Sequence, residues 1–216
     1  MKHKIGFIGL GLIGGSIARA VRQYFPDCEI AAFDKNKETL ALATQESVID
    51  VAATTIDDNF KHCNYLFLCA PVSYNTAYLK QVRNYLHSDC ILTDVGSVKT
   101  DIHREVEALG IEEYFIGGHP MAGSEKSGYV NSKAMLIENA YFVLTPSEKV
   151  PQEKIARYTD FVQALHAIPV LLNYQEHDYV TGTISHLPHI IASSLVNFVR
   201  DTDTKDELMK NLAAGG

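Results

Sequence analysis

The chain has 216 residues, 46% of them hydrophobic and 21% charged, and carries a formal charge of -7. That length is enough for one large domain, or for one domain with part of another, and the composition is globular rather than disordered, collagen-like or membrane-embedded. No apolar run reaches the roughly 18 to 20 residues needed to span a bilayer, and no basic block offers itself to a phosphate backbone, so neither membrane nor nucleic acid is expected as a partner.

Taken in chain order, short apolar runs alternate with helical patterns. "KIGFIG" (4–9) reads as a strand followed by a helix near 12–24, "EIAAFD" (29–34) precedes a helix over 36–45, and "YLFLCAP" (65–71) precedes one near 74–86. The beat continues through "CILTDV" (90–95), a helix near 99–109, "YFIGGHP" (114–120), "AYFVLTP" (140–146), a helix near 151–166 and "IPVLLN" (168–173). This β-α-β rhythm predicts a doubly wound, mostly parallel sheet, its strands continuously apolar because helices cover both faces. Pro71, Pro146 and Pro169 fall at or near strand ends, where a missing N–H does least harm.

The opening stretch "KIGFIGLGLIGGSIARA" (4–20) admits two readings. Lys2 and Lys4 ahead of an apolar run ending in Ala18-Arg19-Ala20 look like a secretory signal. Gly9, Gly11 and Gly14 also form a G-x-G-x-x-G turn. Context favours the turn. It follows a strand and opens a helix, and Asp34 ends the next strand 20 residues after Gly14. That spacing suits an acid accepting from the ribose hydroxyls of a dinucleotide whose pyrophosphate rests on the helix N-terminus. Cleavage would remove the first strand of the sheet. A carboxylate at Asp34 repels a 2′-phosphate and so favours NAD over NADP, although Lys35 and Lys37 stand close enough to soften that repulsion.

Cys28, Cys63, Cys69 and Cys90 form no C-x-x-C pair and read as reduced cytosolic thiols, the alternative being two bridges in a secreted protein. After Asn173 the rhythm stops. Residues 174–200 are helical in pattern, with a kink expected at Pro188, whose ring crowds the carbonyl of Ile184. The division is therefore 1–173 for the nucleotide-binding domain and 174–216 for the start of a helical one. With room for only about one more helix after residue 204, the helical part is too short to bury its own apolar faces, so either a partner subunit completes it or the chain is a fragment.

Polar clusters follow two strand ends, "DVGSVKT" (94–100) and "GGHPMAGSEKSG" (117–128), where ligands of open α/β sheets bind. The second surrounds His119, Ser124, Glu125 and Lys126 with small residues. The helical segment adds His177, Ser185, His186 and His189, of which Ser185 and His189 are i,i+4 neighbours. A zinc site on His177, His186 and His189 lacks the cysteine or acid expected beside an H-x-x-H pair, and no metal is expected.

The motifs "GFIGLGLIGGS", "LFLCAPV", "TDVGSVK", "GGHPMAGSEKSG" and "SHLPH" resemble, in that order, those of prephenate dehydrogenases, the oxidative-decarboxylating enzymes of tyrosine biosynthesis. The resemblance covers essentially the whole chain. It implies a Rossmann-type domain followed by an all-helical domain that dimerises, and a cytoplasmic, NAD-dependent homodimer that converts prephenate to 4-hydroxyphenylpyruvate and carbon dioxide. Carried onto this sequence, His119 takes the proton of the ring hydroxyl as the adjacent C–H delivers hydride, a task suited to a side chain with an unperturbed pKa of about 6.5. Ser97 orients the imidazole, while Glu125, His177, Ser185, His186 and His189 line or order the substrate pocket. Gly9, Gly11, Leu12, Ile13, Gly14, Asp34, Ala70 and Pro71 are the expected cofactor contacts. An arginine clamping a substrate carboxylate is expected in a segment after "NLAAGG", beyond Gly216.

Four rival readings stand beside this one. The same chemistry on arogenate differs only in an amino group on the side chain. A β-hydroxyacid dehydrogenase would resemble a group with a lysine on the first long helix, and residues 174–200 contain none. A non-catalytic NAD-binding regulator needs the glycine turn and Asp34 but not His119 beside Ser97, and a structural helical-dimer protein would keep only a vestigial nucleotide fold.

Overall fold

The computed structural model describes residues 3–203 and 207–212. It divides into two compact units, Met1–His177 and Asp178–Gly216, a few residues beyond the division expected after Asn173.

In the first unit five parallel strands, β1 (Lys4–Ile8), β2 (Glu29–Phe33), β3 (Val51–Ala53), β4 (Tyr65–Leu68) and β5 (Ile91–Asp94), pair in the order β3-β2-β1-β4-β5. The helices α1 (Leu12–Tyr24), α2 (Lys37–Gln45), α3 (Val72–Val82) and α4 (Thr100–Leu109) follow strands β1, β2, β4 and β5. Because side chains alternate along a strand, Ile5, Phe7, Tyr65 and Phe67 join one core, with Ile17 and Val21 of α1. Ile8, Leu66, Leu68 and Leu92 join a second core on the other face, with Leu79 of α3 and Val106 of α4. Phe7 and Phe67, paired in register, stack at 5.1 Å in the middle of the first core. The short edge strand β3 escapes the sequence pattern, since "VAA" carries neither period nor β-branched density.

Local chemistry sets the ends. Asn36 caps α2 by accepting from the backbone N–H groups of Glu38 and Thr39, and Gly110, at φ +64, closes α4 in the left-handed region. Helix α3 begins at Val72, just after Pro71, and its expected last turn tightens into a 3-10 turn over Arg83–Tyr85.

A second sheet continues from the β5 edge. Its strands are β6 (Ile116–Pro120), β7 (Tyr141–Pro146) and β8 (Ile168–Leu171), with α5 (Gln152–Ala164) between the last two. β6 pairs antiparallel with β7, and β7 parallel with β8, so this sheet is mixed, with one pairing of each kind. No crossover helix separates β6 from β7, only 3-10 turns at Tyr129–Asn131 and Ala134–Leu136, so the chain reverses direction instead of winding over the sheet. A parallel bridge between Leu92 and Phe115 aligns β6 with β5, so β6 carries His119 toward the edge where β1, β4 and β5 end.

Helix α6 (Tyr174–Thr181) begins in the first unit. In the second, a π turn over Gly182–His186 leads into α7 (Leu187–Thr202), followed by α8 (Leu208–Leu212). The disturbance expected at Pro188 takes this form. Pro188 sits in the first turn of α7 and donates no N–H, and the helical ladder widens just ahead of it. Leu187, Ile191, Leu195 and Phe198 of α7 are 51–68% exposed. Among the described residues no helix is long and apolar enough to cross a membrane. Residues 213–216 of the "NLAAGG" segment lie outside the described residues.

Candidate active site

The glycine turn joins β1 to α1. Gly9 has φ +102, open to glycine at little cost, and its N–H donates to the carbonyl of Phe33 at 2.7 Å, which ties the turn to the end of β2. A methyl on Gly14 would stand 2.6 Å from the Gly9 carbonyl oxygen and 2.7 Å from Cβ of Cys69, so only glycine lets α1 lie this close to the strands. Gly11 is different: a methyl there meets nothing within 4 Å. No side chain caps α1 and its first turn holds no acid, so no side chain of the described residues competes for its N-terminal N–H groups, an arrangement suited to an anion. Leu12 and Ile13 form that first turn and are half-buried.

Asp34 stands across the turn. One carboxylate oxygen accepts from Leu10 N at 2.7 Å and the other from Asn36 N at 2.8 Å, which fixes the group's direction and leaves each oxygen a further lone pair. Gly9, Gly11, Asp34, Ala70 and Pro71 line one cleft of about 310 Å³, together with Phe33, Lys35, Cys69, Tyr74 and Tyr78. The sulfur of Cys69 tucks beneath Gly14, and desolvation, with a smaller contribution from the charge on Asp94, pushes its thiol pKa up. Cys69 is therefore no thiolate nucleophile at neutral pH.

His119 is the fourth residue of β6, opposite Val143 of β7, and is half-buried. Its Nδ1 stands 2.8 Å from Nε2 of His177, a residue only 1% exposed. The strand beneath it is tightly seated. A methyl on Gly117 would come within 2.3 Å of Thr145 Oγ1, and one on Gly118 within 2.6 Å of the Asp94 carbonyl oxygen. The Asp94 carboxylate joins three segments: it accepts from Gly118 N at 3.2 Å and from Gly96 N at 2.9 Å, and it pairs with the ammonium of Lys99. That ion pair is dry, with Lys99 0% and Asp94 1% exposed.

The structure thus gathers five of the eight expected cofactor residues, Gly9, Gly11, Asp34, Ala70 and Pro71, in one cleft, leaves Leu12, Ile13 and Gly14 on the adjoining first turn of α1, and brings His119 onto His177. Ser97 is exposed on the turn between Asp94 and Lys99 and makes no hydrogen bond to His119, whose Nδ1 partner is His177 instead. Glu125 lies on an exposed loop, accepting from Ser124 Oγ at 3.3 Å. Ser185 and His186 fall in the π turn and His189 in the first turn of α7, all within the second unit. Sequence reasoning missed the Asp94–Lys99 pair. Its signal was a lysine five residues after a strand-terminal aspartate, which reads as surface charge until burial is known. Among the described residues no group of three His, Cys, Asp or Glu side chains could hold a metal ion.

Residues 17–171 match the nucleotide-binding domain of prephenate dehydrogenase, and residues 173–216 match its dimerization domain. The chain belongs to the prephenate dehydrogenase family. Within the family it is 36% identical to the prephenate dehydrogenase of Bacillus subtilis (strain 168), over 100% of this chain and 59% of that protein, so it spans about 59% of that relative's length. Its fold superposes with a TM-score of 0.91 on the prephenate dehydrogenase of A. aeolicus, solved with hydroxyphenyl propionate and NAD+, at 29% identity over 100% of this chain and 76% of that one. The arogenate dehydrogenase of Synechocystis gives a TM-score of 0.84 at 31% identity, covering 99% of this chain and 76% of that one.

Proposed function

We propose that this chain carries out the oxidative decarboxylation of prephenate to 4-hydroxyphenylpyruvate in tyrosine biosynthesis, with NAD+ as oxidant and His119 as general base. The observation that carries the reading is the 2.8 Å contact between Nδ1 of His119 and Nε2 of His177. Two facing ring nitrogens share one proton. With that proton on Nδ1 of His119, Nε2 of the same ring is the unprotonated nitrogen, the form a general base needs, and the buried partner fixes tautomer and ring plane together. The orienting role expected of Ser97 is therefore assigned to His177, and Ser97 and Glu125 are assigned to the substrate side. Ser185, His186 and His189 are assigned to the substrate pocket on the family resemblance.

The cleft suits a dinucleotide on its own chemistry: an uncapped helix N-terminus for pyrophosphate, open space at Gly11 for its approach, and spare lone pairs on Asp34 for ribose hydroxyls. Bound NAD+ supplies the hydride acceptor. His119 removes the hydroxyl proton through Nε2 as the neighbouring C–H bond breaks. Loss of the ring carboxylate as carbon dioxide leaves an aromatic ring, which makes the reaction one-way.

Arogenate is the second reading, favoured by the likeness to the Synechocystis enzyme. A homodimer is supported by the match to a dimerization domain and by the exposed apolar residues of α7, and a reducing, cytoplasmic setting by four cysteines, none of them in a disulfide. The test is NADH absorbance on mixing the protein with NAD+ and prephenate, with arogenate and NADP+ in parallel wells. A rise with prephenate and NAD+ is expected. No rise, either with this chain or with one extended to the relatives' length, overturns the reading.

A further inference from the structure

Lys35 follows directly on Asp34 and lines the same cleft, where its ammonium sits 4.2 Å from the centroid of the Tyr74 ring. Among the described residues no carboxylate pairs with it, in contrast to Lys4, Lys61, Lys99 and Lys149, each of which faces an acid. Lys37 opens α2 and does not line the cleft. The cleft therefore holds a fixed anion and a movable cation on adjacent residues. Asp34 is held by Leu10 N and Asn36 N and cannot turn away, whereas Lys35 is a flexible stem resting on an aromatic face.

Resting on the reading of this cleft as the adenosine site, we propose that Lys35 is a cofactor-selectivity residue, a receptor for a ribose 2′-phosphate already seated on Tyr74 and overruled by Asp34. A phosphate monoester at the ribose 2′ position brings nearly two negative charges. Near Asp34 it meets a carboxylate that has no room to move. Near Lys35 it meets an ammonium whose weak hold on an exposed ring yields to a charge-assisted hydrogen bond. The preference for NAD is then a contest between adjacent residues, and removing the acid exposes a binding site rather than merely deleting one. Lys37, outside the cleft, takes no part.

The test uses binding alone. Titration calorimetry with 5′-AMP and with adenosine 2′,5′-bisphosphate compares the wild-type chain with Asp34→Ser, Asp34→Ser/Lys35→Met and Asp34→Ser/Lys37→Met. The wild type binds 5′-AMP the more tightly. Asp34→Ser tightens the bisphosphate by about tenfold or more, Lys35→Met removes most of that gain, and Lys37→Met leaves it in place. Should Asp34→Ser misfold for want of its backbone bonds, Lys35→Met on the wild-type background answers the same question: it weakens the bisphosphate and flattens the salt dependence of its binding. A bisphosphate affinity that Lys35→Met does not move, or that Lys37→Met moves more, overturns the proposal while 5′-AMP binding preserves the adenosine site. Failure of the wild type to bind 5′-AMP overturns both.

Discussion

Gly14 and Gly11 belong to one turn yet answer to different forces, and alanine at each separates them. At Gly14 the new methyl would stand 2.6 Å from the Gly9 carbonyl oxygen and 2.7 Å from Cys69 Cβ. The first contact is backbone in a turn at φ +102, so it cannot swing aside and α1 must lift from the sheet. Overpacking of this kind costs ~1–3 kcal/mol. Alanine's better helix propensity offsets up to ~1 kcal/mol, leaving a net loss of up to about 3 kcal/mol and centred near ~1.5 kcal/mol, or roughly 3–6 °C in Tm for a chain of this size. At Gly11 the methyl meets nothing within 4 Å and the backbone, at φ -76 and ψ -158, is one that alanine adopts freely. Stability should hold, or rise by ~0.4–1 kcal/mol through a less flexible unfolded chain. The methyl does fill the space through which a pyrophosphate approaches the helix, so NAD+ affinity should fall about tenfold or more. Differential scanning calorimetry and NAD+ titration on both variants make the check. Should Gly11→Ala bind NAD+ as the wild type does, or Gly14→Ala melt at the wild-type temperature, the division of labour is wrong.

His119→Asn should lower kcat by ~10²–10⁴ with a smaller change in KM, and near wild-type turnover would remove His119 from the chemistry. His177→Asn should reduce kcat more than Ser97→Ala does; the reverse order in steady-state kinetics would restore Ser97 as the orienting residue. Lys99→Met strands the Asp94 carboxylate in a dry site and should cost ~3–5 kcal/mol, roughly 6–20 °C in Tm, part of which Asp94→Asn in the same chain should recover. Burial pushes the thiols of Cys63 and Cys90 up to about 12, so both stay protonated in the folded protein while the unfolded chain loses those protons near pH 8.5. The unfolded state then binds fewer protons between about pH 8.5 and 12, and stability, full below pH 8, should decline across that window. Thermal melts from pH 7 to 11 read this directly, and Cys63→Ala/Cys90→Ala should flatten the decline.

Most of the fold was legible because its signals are local. The glycine turn, the acid at the end of β2 and the continuous apolar strands each follow from contacts within a βαβ unit, and β1, β2, β4 and β5 lie within a few residues of where the pattern put them. What was illegible depends on distant partners. Nothing in "IGGHP" tells whether β7 returns parallel or antiparallel, since that is decided by the missing helix between them. The orienting role of Ser97 rests on the resemblance alone; which side chain meets a ring nitrogen is a matter of ångströms, and His177, whose Nε2 stands 2.8 Å from Nδ1 of His119, lies 58 residues away. Lys99 shows the same limit. Its burial depends on Asp94 and on the packing of β6, neither of which sequence spacing encodes.

His119 is a rung of a ladder, flanked by the pairs Gly118–Leu144 and Pro120–Phe142, and not the tip of a loop. To relocate the imidazole by even an ångström, a lineage would have to break strand pairing and find room beside Gly117 and Gly118, where a single methyl already collides. Diversification is thereby channelled elsewhere. The exposed loop around Glu125 and the π turn that bears Ser185 and His186 can drift without disturbing the sheet. A fold built this way keeps the imidazole where the ladder puts it and leaves sequence change to the exposed segments around it.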